Sequence, residues 1–368
     1  MLKIGITGIR GLVGAHLHAF LHTLKDVEVL GADRDVFVDD TRLAAFVLSC
    51  DVVVHLAGMN RGDDTEVFAA NTGLAEKLIK ALLLTEKKPH LVFSSSTQIE
   101  KRTVYGDSKV ECSRRFQAWA DSCGALFTNL VLPNIFGEGG KPFYNSVVST
   151  FCHQFAHQQE PRIMVDADVE FLHAGELAQK IHHVIQTKEA GDVRFHGRVI
   201  KVSDLLDKIC GFSLSYGRQV IPDVRDRFDL QIFNTYRSYL YPQSYPVLLD
   251  VKEDLRGEVF ETVKTLGPGQ CFISTTNPGV TRGEHFHLHK LERFLVVKGQ
   301  AKIRIRRLFS EAVDVFEVSG ERPAFIDMPT MHTHNITNTG SGELVALFWS
   351  GEIFDPDKPD TFMEKVEA

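Results

Sequence analysis

Short apolar runs alternate with helical stretches over residues 1–135 of the chain. The segments KIGIT, VEVLGAD, DVVVHLAG, HLVFSSS and LFTNLVL predict strands, and LVGAHLHAFLHTL and AEKLIKALLL predict helices between them. Strands that alternate with helices at this spacing indicate a doubly wound parallel sheet. Residues 136–243 are less regular, but SVVSTFCHQFAHQ and AGELAQKIHHVIQ predict two further helices.

The pattern changes at about Tyr245. From there the segments KIRIR, VDVFEV and LVALFW are short and β-rich, and glycine-bearing turns such as GPGQ and NTGSG separate them. This pattern is typical of an all-β barrel or jelly roll. A chain of 368 residues also exceeds the size at which one core usually keeps growing. We therefore predict two domains, residues 1–243 and residues 244–368.

Composition narrows the class of partner. The formal net charge of −7 argues against nucleic acid or an anionic membrane surface as the main partner. The chain has no run of about 18 apolar residues, which a membrane span would need. Its first residues, MLKIGITG, enter a strand directly, without the features of a signal peptide. Six scattered cysteines without a CxxC pair favour reduced thiols, so we expect a cytoplasmic protein.

Candidate chemistry begins in a glycine-rich turn. Gly8, Gly11 and Gly14 follow the first predicted strand and precede the first predicted helix. Glycines at this point let the backbone approach a pyrophosphate, which lies against the amides and the positive end of the helix. We therefore predict a dinucleotide-binding site.

The end of the second predicted strand, GADRD, bears on which dinucleotide is bound. Asp33 suits the ribose hydroxyls of NAD, whereas Arg34 suits the 2′-phosphate of NADP. Arg10 adds a second positive charge inside the glycine turn. The two arginines favour NADPH.

A tyrosine and a lysine lie four residues apart in YGDSK. In a helix this spacing puts the side chains of Tyr105 and Lys109 on one face. A nearby ammonium lowers the pKa of a phenol, as a general acid for a carbonyl oxygen requires. The pair follows FSSST, where the chain leaves a predicted strand at the sheet edge that binds ligands in open α/β folds.

The segments TGIRGLVG, VVHLAG, FSSST, YGDSK and PNIFGEGG resemble the extended short-chain dehydrogenase/reductase family of nucleotide-sugar enzymes, over residues 1 to about 243. The resemblance implies a Rossmann-like fold in which Tyr105 transfers a proton and Lys109 holds the nicotinamide ribose. It also implies that Ser96, with Thr97 as the alternative, hydrogen-bonds the substrate carbonyl or hydroxyl. Only eight residues separate Ser96 from Tyr105, fewer than is usual in this family.

The same resemblance assigns four further residues. It implies that Asn71 and His55 lie near the coenzyme, although His55 also suits a packed strand. Family members often hold a nucleotide diphosphate in the segment that corresponds to GKPFYNSVVSTF. Lys141 and Asn145 are therefore candidates for substrate binding.

A different chemistry is concentrated in GEHFHLHKLERFLVVKG. His285 and His287 are two residues apart, so a strand projects both to one side. Glu292 follows, and His334 in PTMHTHNITN is a fourth candidate. Three imidazoles and a carboxylate suit zinc, and they also suit Fe(II), Mn or Ni. We predict a metal site, with zinc as the leading candidate.

These two segments resemble the two motifs of the cupin family, except that Met331 stands where a glycine is customary. His289 and His332 lie in the same segments, and each is either a general base or an ordinary histidine. Spacing leaves open whether the metal polarises a substrate carbonyl or holds the barrel together.

The combination of the two halves resembles a family of bifunctional enzymes of capsular-polysaccharide and O-antigen synthesis. The matching segments include SSST, YGDSK, YNSV, HKLERFLVV and FDPDKPDTF. The resemblance implies a UDP-linked 2-acetamido-2,6-dideoxy-4-ketohexose as substrate, on the route to UDP-N-acetyl-L-fucosamine. It implies C3 epimerisation by the cupin half, NADPH-dependent C4 reduction by the other half, and a homodimer. The chemistry is consistent, because a C4 ketone acidifies the C3 proton and then accepts a hydride.

Three alternatives stay open. In the first, the cupin half is a metal-stabilised dimerisation module beside a reductase. In the second, the cupin half is an iron-dependent oxygenase. In the third, the whole chain is a non-catalytic sensor of NADPH or of a sugar nucleotide. The Tyr105/Lys109 pair argues against the sensor, which has no need of a proton donor.

Overall fold

The computed structural model describes residues 1–367, which form two compact units. The first unit combines Met1–Thr150 with Met164–Val202. The second combines Phe151–Ile163 with the residues from Ser203 onward. The helices of the chain are α1 (Leu12–His22), α2 (Arg34–Phe37), α3 (Asp40–Ser49), α4 (Asp64–Thr85), α5 (Val104–Cys123), α6 (Val147–Ala156), α7 (Ala174–Thr187), α8 (Val202–Gly217) and α9 (Arg227–Ser238), with a 3₁₀ turn at Thr97–Glu100.

The first unit is built on a parallel sheet. Its strands are β1 (Leu2–Thr7), β2 (Val27–Ala32), β3 (Val52–His55), β4 (His90–Ser94), β5 (Phe127–Val131), β6 (Asn134–Phe136), β7 (Asp168–His173), β8 (Gly191–Arg194) and β9 (Arg198–Lys201). The parallel sheet has the order β2–β1–β3–β4–β5–β8, and β6, β7 and β9 form a small separate sheet. The predicted doubly wound sheet is thus confirmed. Because the chain runs from β1 to β2 on one side and on to β3 on the other, a ligand crevice is expected where β1 and β3 end.

Both faces of this sheet are covered. Val53 and Phe93 pack into one core with helices α3, α4 and α5, whereas Val54 and Val92 pack into a second core with α1 and α7. This burial on both faces explains why the strands are continuous apolar runs rather than alternating ones.

The second unit is rich in antiparallel strands. They are β10 (Val220–Ile221), β11 (Val247–Leu248), β12 (Lys252–Asp254), β13 (Gly257–Val259), β14 (Lys264–Thr265), β15 (Gln270–Thr276), β16 (Thr281–Phe286), β17 (Glu292–Lys298), β18 (Gln300–Arg307), β19 (Val313–Ser319), β20 (Ala324–Met328), β21 (His332–Asn338), β22 (Leu344–Ser350) and β23 (Phe362–Met363). Two five-stranded sheets, β11–β20–β17–β22–β15 and β19–β18–β21–β16–β23, enclose a common core that includes Phe294, Ile303, Ile336 and Phe348. The predicted closed barrel needs a correction, because no strand pairing within residues 1–367 joins the two sheets.

The division between the units differs from the predicted boundary at residues 243 and 244. Helices α8 and α9 belong to the second unit, where Arg237 donates a hydrogen bond of 2.9 Å to the carbonyl oxygen of Met328. Tyr216 on α8 donates to the carboxylate of Asp327, which also pairs with the buried Arg293. Buried polar groups need such partners. This network therefore holds the helices against the sheet. The change in sequence pattern at Tyr245 gave no indication of the network.

All six cysteines are free thiols, as the sequence predicted. Within residues 1–367, no helix combines the length and the apolar character that a membrane span requires.

Candidate active site and metal centre

The glycine turn after β1 lets backbone segments approach very closely. Gly8 has a φ of 70°, and a Cβ there would lie 2.9 Å from the backbone nitrogen of Ala57. A Cβ on Gly14 would lie 2.3 Å from the carbonyl oxygen of Gly8. Helix α1 begins directly after Gly11, which offers no side-chain cap to its first amides. An uncapped helix start beside a glycine turn is well suited to bind a pyrophosphate.

Two of the three charged residues predicted at the coenzyme ribose pair with each other. Arg10 Nε lies 2.7 Å from Asp33 Oδ2, while most of the Arg10 side chain remains exposed. Arg34 is the first residue of α2 and is also exposed, but it does not line the cleft described below. The structure thus brings Arg10 and Asp33 together and leaves Arg34 beside them.

Tyr105 and Lys109 lie in the first turns of α5, which Thr103 caps through its side chain. Lys109 Nζ donates a hydrogen bond of 2.8 Å to the carbonyl oxygen of Ser94, the last residue of β4. The same nitrogen lies 5.6 Å from the centre of the Tyr105 ring. The predicted helical pair therefore exists, and it lies at the carboxyl end of the central sheet.

The pKa values of this pair are set mainly by burial. Burial raises the pKa of Tyr105 to about 12, with a further contribution from Tyr144, and burial lowers the pKa of Lys109 to about 8. The structure contradicts the expectation that Lys109 lowers the phenol pKa. The physical reason is that the ammonium is directed at the carbonyl oxygen of Ser94, while desolvation dominates at the phenol.

Serines at the end of β4 line the cleft together with Thr97. Ser96 Oγ accepts a hydrogen bond of 3.2 Å from the backbone nitrogen of Gln98, and this bond does not use its hydroxyl hydrogen. Ser95 Oγ is buried and has no hydrogen-bond partner among the described residues. We did not predict Ser95, because a run of serines carries no signal for which hydroxyl faces a ligand.

Asn71 is a buried residue that organises one wall of the cleft. Its Oδ1 accepts a hydrogen bond of 2.7 Å from Met59 N, and its Nδ2 donates bonds of 2.9 Å to Met59 O and to Ser108 Oγ. Asn71 does not itself line the cleft, whereas the neighbouring Gly58 and Asn60 do. Its position therefore suits ordering of the segment 58–60 rather than direct contact with a coenzyme.

His55 ends β3 and is fully packed. Its Nδ1 lies 2.7 Å from Thr7 Oγ1, and burial lowers the pKa of the imidazole to about 3. His55 does not line the cleft. The packed-strand interpretation therefore fits this residue.

One cleft of about 680 Å³ brings together most of the predicted groups of the first unit. Its lining includes Gly8, Arg10, Gly11, Gly14, Ser95, Ser96, Thr97, Tyr105, Lys109, Lys141, Tyr144 and Asn145. Lys141 Nζ lies 5.1 Å from the centre of the Tyr144 ring. Arg61 holds this loop by donating to the carbonyl oxygens of Phe143 and Tyr144. The two predicted substrate residues therefore lie on the same cleft as the predicted catalytic pair.

A second group of histidines, not predicted from the sequence, lies buried near this cleft. His173 Nε2 lies 2.8 Å from Glu138 Oε2, and His16 Nε2 lies 3.0 Å from the Glu138 carbonyl oxygen. His173 Nδ1 accepts a hydrogen bond from the backbone nitrogen of Gly175, which leaves the hydrogen on Nε2 to bond the carboxylate. The separation of 2.8 Å is that of a direct hydrogen bond. Residues 35 and 122 positions apart gave no sequence signal.

The four predicted metal ligands converge in the second unit. His287 Nε2 and His334 Nε2 lie 3.1 and 3.2 Å from Glu292 Oε2, and His285 Nε2 lies 4.0 Å from it. One ligand atom from each of the four residues falls within 4.8 Å of all the others. His287 and His334 are buried, and His285 is partly exposed.

The ring orientations of this cluster are fixed by outer partners. His287 Nδ1 lies 2.5 Å from the carbonyl oxygen of Asp360, and His334 Nδ1 lies 3.2 Å from the carbonyl oxygen of His332. These contacts hold a ring hydrogen on Nδ1, so Nε2, which faces Glu292, is the nitrogen that would bind a metal on losing its own hydrogen. Burial alone would raise the pKa of Glu292, but its hydrogen bonds with the histidines lower it below its usual range. The carboxylate is therefore ionised.

The separations within the cluster fit a bound metal ion. Ligand atoms about 2.0–2.2 Å from a tetrahedral zinc ion lie roughly 3.3–3.6 Å from one another. The separations of 3.1, 3.2 and 4.0 Å to the Glu292 oxygen bracket this range. The Glu138 cluster fits less well, because His173 Nδ1 accepts a hydrogen bond and the ring hydrogen therefore lies on the Nε2 that faces Glu138.

The two additional histidines of the cupin-like motifs differ from each other. His289 is about half exposed, and its Nδ1 lies 3.2 Å from Asp360 Oδ2. His332 is largely buried, its Nδ1 contacts the carbonyl oxygen of Thr330 at 2.8 Å, and burial lowers its pKa to about 4. Neither belongs to the group of four ligand residues.

Comparison with known families finds a separate match for each half of the chain. The NAD dependent epimerase/dehydratase family matches residues 4–202, and the Polysaccharide biosynthesis C-terminal domain matches residues 252–362. The first match ends at the last residue of the first unit.

Full-length relatives cover both parts. The chain is 31% identical over 366 residues to the UDP-2-acetamido-2,6-beta-L-arabino-hexul-4-ose reductase of Pseudomonas aeruginosa, with 98% of each chain covered. The crystal structure of the capsular polysaccharide assembling protein CapF from Staphylococcus aureus is similar with a TM-score of 0.63 and 29% identity, over 99% of this chain and 100% of that one. RMD from Pseudomonas aeruginosa complexed with NADPH shares the fold, with a TM-score of 0.53 and 20% identity over 58% of this chain and 84% of that one. The chain therefore belongs to the NAD dependent epimerase/dehydratase family, and it is built like CapF along its length, as the sequence motifs predicted.

Proposed function

We propose that the chain is a bifunctional nucleotide-sugar enzyme of capsule or O-antigen synthesis. Its second unit epimerises C3, and its first unit then reduces the C4 ketone of a UDP-2-acetamido-2,6-dideoxy-4-ketohexose, on the route to UDP-N-acetyl-L-fucosamine. The observation that carries the proposal is the convergence of Tyr105, Lys109 and the glycine turn on one cleft. The name of the relative from Pseudomonas aeruginosa, a reductase of a UDP-linked hexulose, supports the substrate class.

The reduction is assigned to the cleft of the first unit. NADPH, when bound, supplies the hydride that adds to C4. The carbonyl electron pair then becomes an alkoxide at O4, and the Tyr105 hydroxyl gives its proton to that oxygen. Lys109 holds the nicotinamide ribose beside this phenol, and Ser96 donates a hydrogen bond to O4 as negative charge develops there.

Three neighbouring charges support NADPH rather than NADH. Arg10 offsets the carboxylate of Asp33, at 2.7 Å, so Asp33 does not repel a 2′-phosphate as a free carboxylate would. Arg34 follows at the start of α2 with an exposed side chain. Lys141 and Asn145, which also line the cleft, are assigned to the diphosphate of the sugar nucleotide.

The epimerisation is assigned to the second unit. A proton leaves C3, the ketone takes up the negative charge as an enolate, and a proton returns on the other face of the ring. A zinc ion held by His285, His287, Glu292 and His334 would supply a Lewis acid for that carbonyl. The carboxylate of Glu292 and the Nε2 atoms of the three histidines make up the donor set.

We also propose that the protein works as a homodimer in the cytoplasm. The hairpin β12–β13 exposes every residue from Val251 to Val259, and the side chain of Leu255 is fully exposed. A two-stranded hairpin is marginal on its own, so its apolar side chains favour a second copy as their partner. Light scattering of the full chain and of Leu255→Glu tests this, with a shift towards the monomer expected. Six free thiols support the compartment.

A single assay tests both activities. The full chain is incubated with NADPH and the UDP-linked 4-ketosugar in D2O, and the product is followed by NMR and mass spectrometry. NADPH oxidation with deuterium at C3 is expected. Oxidation without deuterium would reduce the second unit to a metal-stabilised dimerisation module. Deuterium without oxidation would overturn the assignment of the reductase cleft.

Two variants assign each activity to its unit. Tyr105→Phe is expected to lower the oxidation rate by roughly 10²–10⁴-fold while C3 exchange continues. His334→Ala is expected to remove C3 exchange while a substrate of the correct C3 configuration is still reduced. Tyr236→Phe, in the second unit, loses a hydrogen bond of 3.1 Å to Ser213 and is the control for the loss of a phenol hydroxyl, with an unchanged oxidation rate expected.

A further inference from the structure

The C-terminal segment FDPDKPDTF ends beside the metal cluster. It lies between β22 and the short strand β23, which pairs with the ligand strand β16 through Met363 opposite His285. Within it, Asp360 is 7% exposed and has a positive φ of 39°. A buried carboxylate in a left-handed backbone conformation is uncommon, and it requires strong local partners.

The partners of Asp360 all come from one short turn. Its carboxylate oxygens accept hydrogen bonds from the backbone nitrogens of Leu288, His289 and Lys290, at 3.1, 2.9 and 2.8 Å. Its carbonyl oxygen lies 2.5 Å from Nδ1 of His287. One residue therefore binds every backbone N–H from 288 to 290 and also orients the preceding imidazole.

This turn joins two predicted ligands. Residues 288–291 connect His287 to Glu292, the first residue of β17, whose carboxylate oxygen lies 3.1 Å from His287 Nε2. Residues 288–291 form neither a helix nor a strand, so no regular secondary structure holds this separation. The ligand spacing thus depends on what anchors the turn.

We infer that Asp360 is a positioning residue that sets the geometry of the metal site, by clamping the 288–290 turn and the His287 ring together. The inference rests on the metal site proposed above. The Asp360 carboxylate holds the turn, and the Asp360 carbonyl oxygen selects the His287 tautomer that presents Nε2 to a metal. A purely structural clamp would contribute to folding without changing the affinity for a metal.

The experiment compares zinc binding by the full chain with that of three variants. Asp360→Ala removes the clamp, Asp360→Asn keeps its shape with one acceptor oxygen, and Asp357→Ala makes the same change at an exposed position of the same segment. Zinc affinity is measured by competition with a chromophoric chelator. The absorption spectrum of the Co²⁺-substituted protein reports coordination geometry, and the melting temperature of the metal-free protein reports folding.

We expect a zinc dissociation constant about 10–100-fold higher for Asp360→Ala, a smaller rise for Asp360→Asn, and none for Asp357→Ala. An altered Co²⁺ spectrum of Asp360→Asn at an unchanged melting temperature would support the same conclusion, even where Asp360→Ala folds poorly. Zinc affinity within twofold of the unmodified chain in both Asp360 variants would overturn the inference and leave the metal site intact. Failure of the unmodified chain to bind zinc or Co²⁺ would overturn the metal site and the inference together.

Discussion

The Lys109 ammonium donates a hydrogen bond of 2.8 Å to the carbonyl oxygen of Ser94 at the end of β4. This bond joins the helix that carries Tyr105 to the strand that leads into the serine run. It holds the ammonium at the cleft, which Lys109 helps to line. Because the group is fully buried, burial lowers its pKa to about 8.

The lowered pKa of Lys109 predicts a pH dependence of NADPH binding. Below about pH 8 the residue is charged and holds the ribose, so the affinity is flat. Above that value the free protein loses the proton that binding requires, and the affinity should fall by up to about tenfold per pH unit. Fluorescence titrations at pH 7–10 measure this. In Lys109→Arg the guanidinium stays charged, so an equal slope in that variant would assign the dependence to another group.

A glycine comparison tests the coenzyme turn. In Gly14→Ala the new Cβ would lie 2.3 Å from a backbone oxygen, so the turn must shift and NADPH affinity should fall by at least about 100-fold. Gly73→Ala in the interior of α4 meets nothing within 4 Å and should stabilise the protein by about 0.5–1 kcal/mol. Coenzyme titration and melting temperature report the two effects. Normal NADPH binding by Gly14→Ala would contradict the assigned site.

Alanine substitutions at the neighbouring Ser95 and Ser96 should change the melting temperature in opposite directions. Ser95→Ala removes a buried hydroxyl that has no described partner, so the melting temperature should rise. The Michaelis constant for the ketosugar should rise as well if that hydroxyl serves the substrate. Ser96→Ala removes the cap at Gln98, so its melting temperature should fall slightly, and kcat should drop about tenfold or more. An unchanged kcat in Ser96→Ala would move its role to Ser95 or Thr97.

The metal content of histidine variants should distinguish the histidines of the proposed metal site from those outside it. His334→Ala removes a buried residue of the proposed metal site and should leave the purified protein with little zinc by elemental analysis. His289→Ala changes a half-exposed histidine outside the cluster and should retain a full equivalent. Equal metal contents in the two variants would contradict the four-residue site. Iron instead of zinc would favour the oxygenase alternative.

The buried ion pair of Arg293 and Asp327 should contribute far more to the free energy of unfolding than the exposed pair of Arg225 and Asp223. Both side chains are buried, their closest atoms are 2.6 Å apart, and Asp327 also accepts from Tyr216. Arg293→Met leaves the buried Asp327 carboxylate without its ion-pair partner and should cost about 3–5 kcal/mol of unfolding free energy. Denaturation followed by Trp349 in a Trp119→Phe background measures this in the second unit. Arg225→Met, from an exposed pair with Asp223, should leave the midpoint unchanged.

Local sequence patterns predicted much of the fold. The alternation of apolar strands with helices and the glycine turn at residues 8, 11 and 14 can be read from spacing along the chain. The parallel sheet confirmed the predicted alternation. The four candidate metal ligands were also visible, because three of them lie within eight residues, with His285 in β16 and His287 directly after it. Such features depend on residues near one another in sequence, where periodicity determines which side chains meet.

Only the tertiary structure decided the features that depend on distant residues. Burial raised the pKa of Tyr105 against the expected effect of Lys109, because desolvation depends on everything packed around the phenol. The open arrangement of the two β-sheets and the placement of α8 and α9 depend on strand pairing and on buried partners such as Asp327. The clamp of Asp360 on a turn 70 residues earlier had no local signal either. The sequence alone predicted which chemical groups are present, whereas folding determined their separations and their solvation.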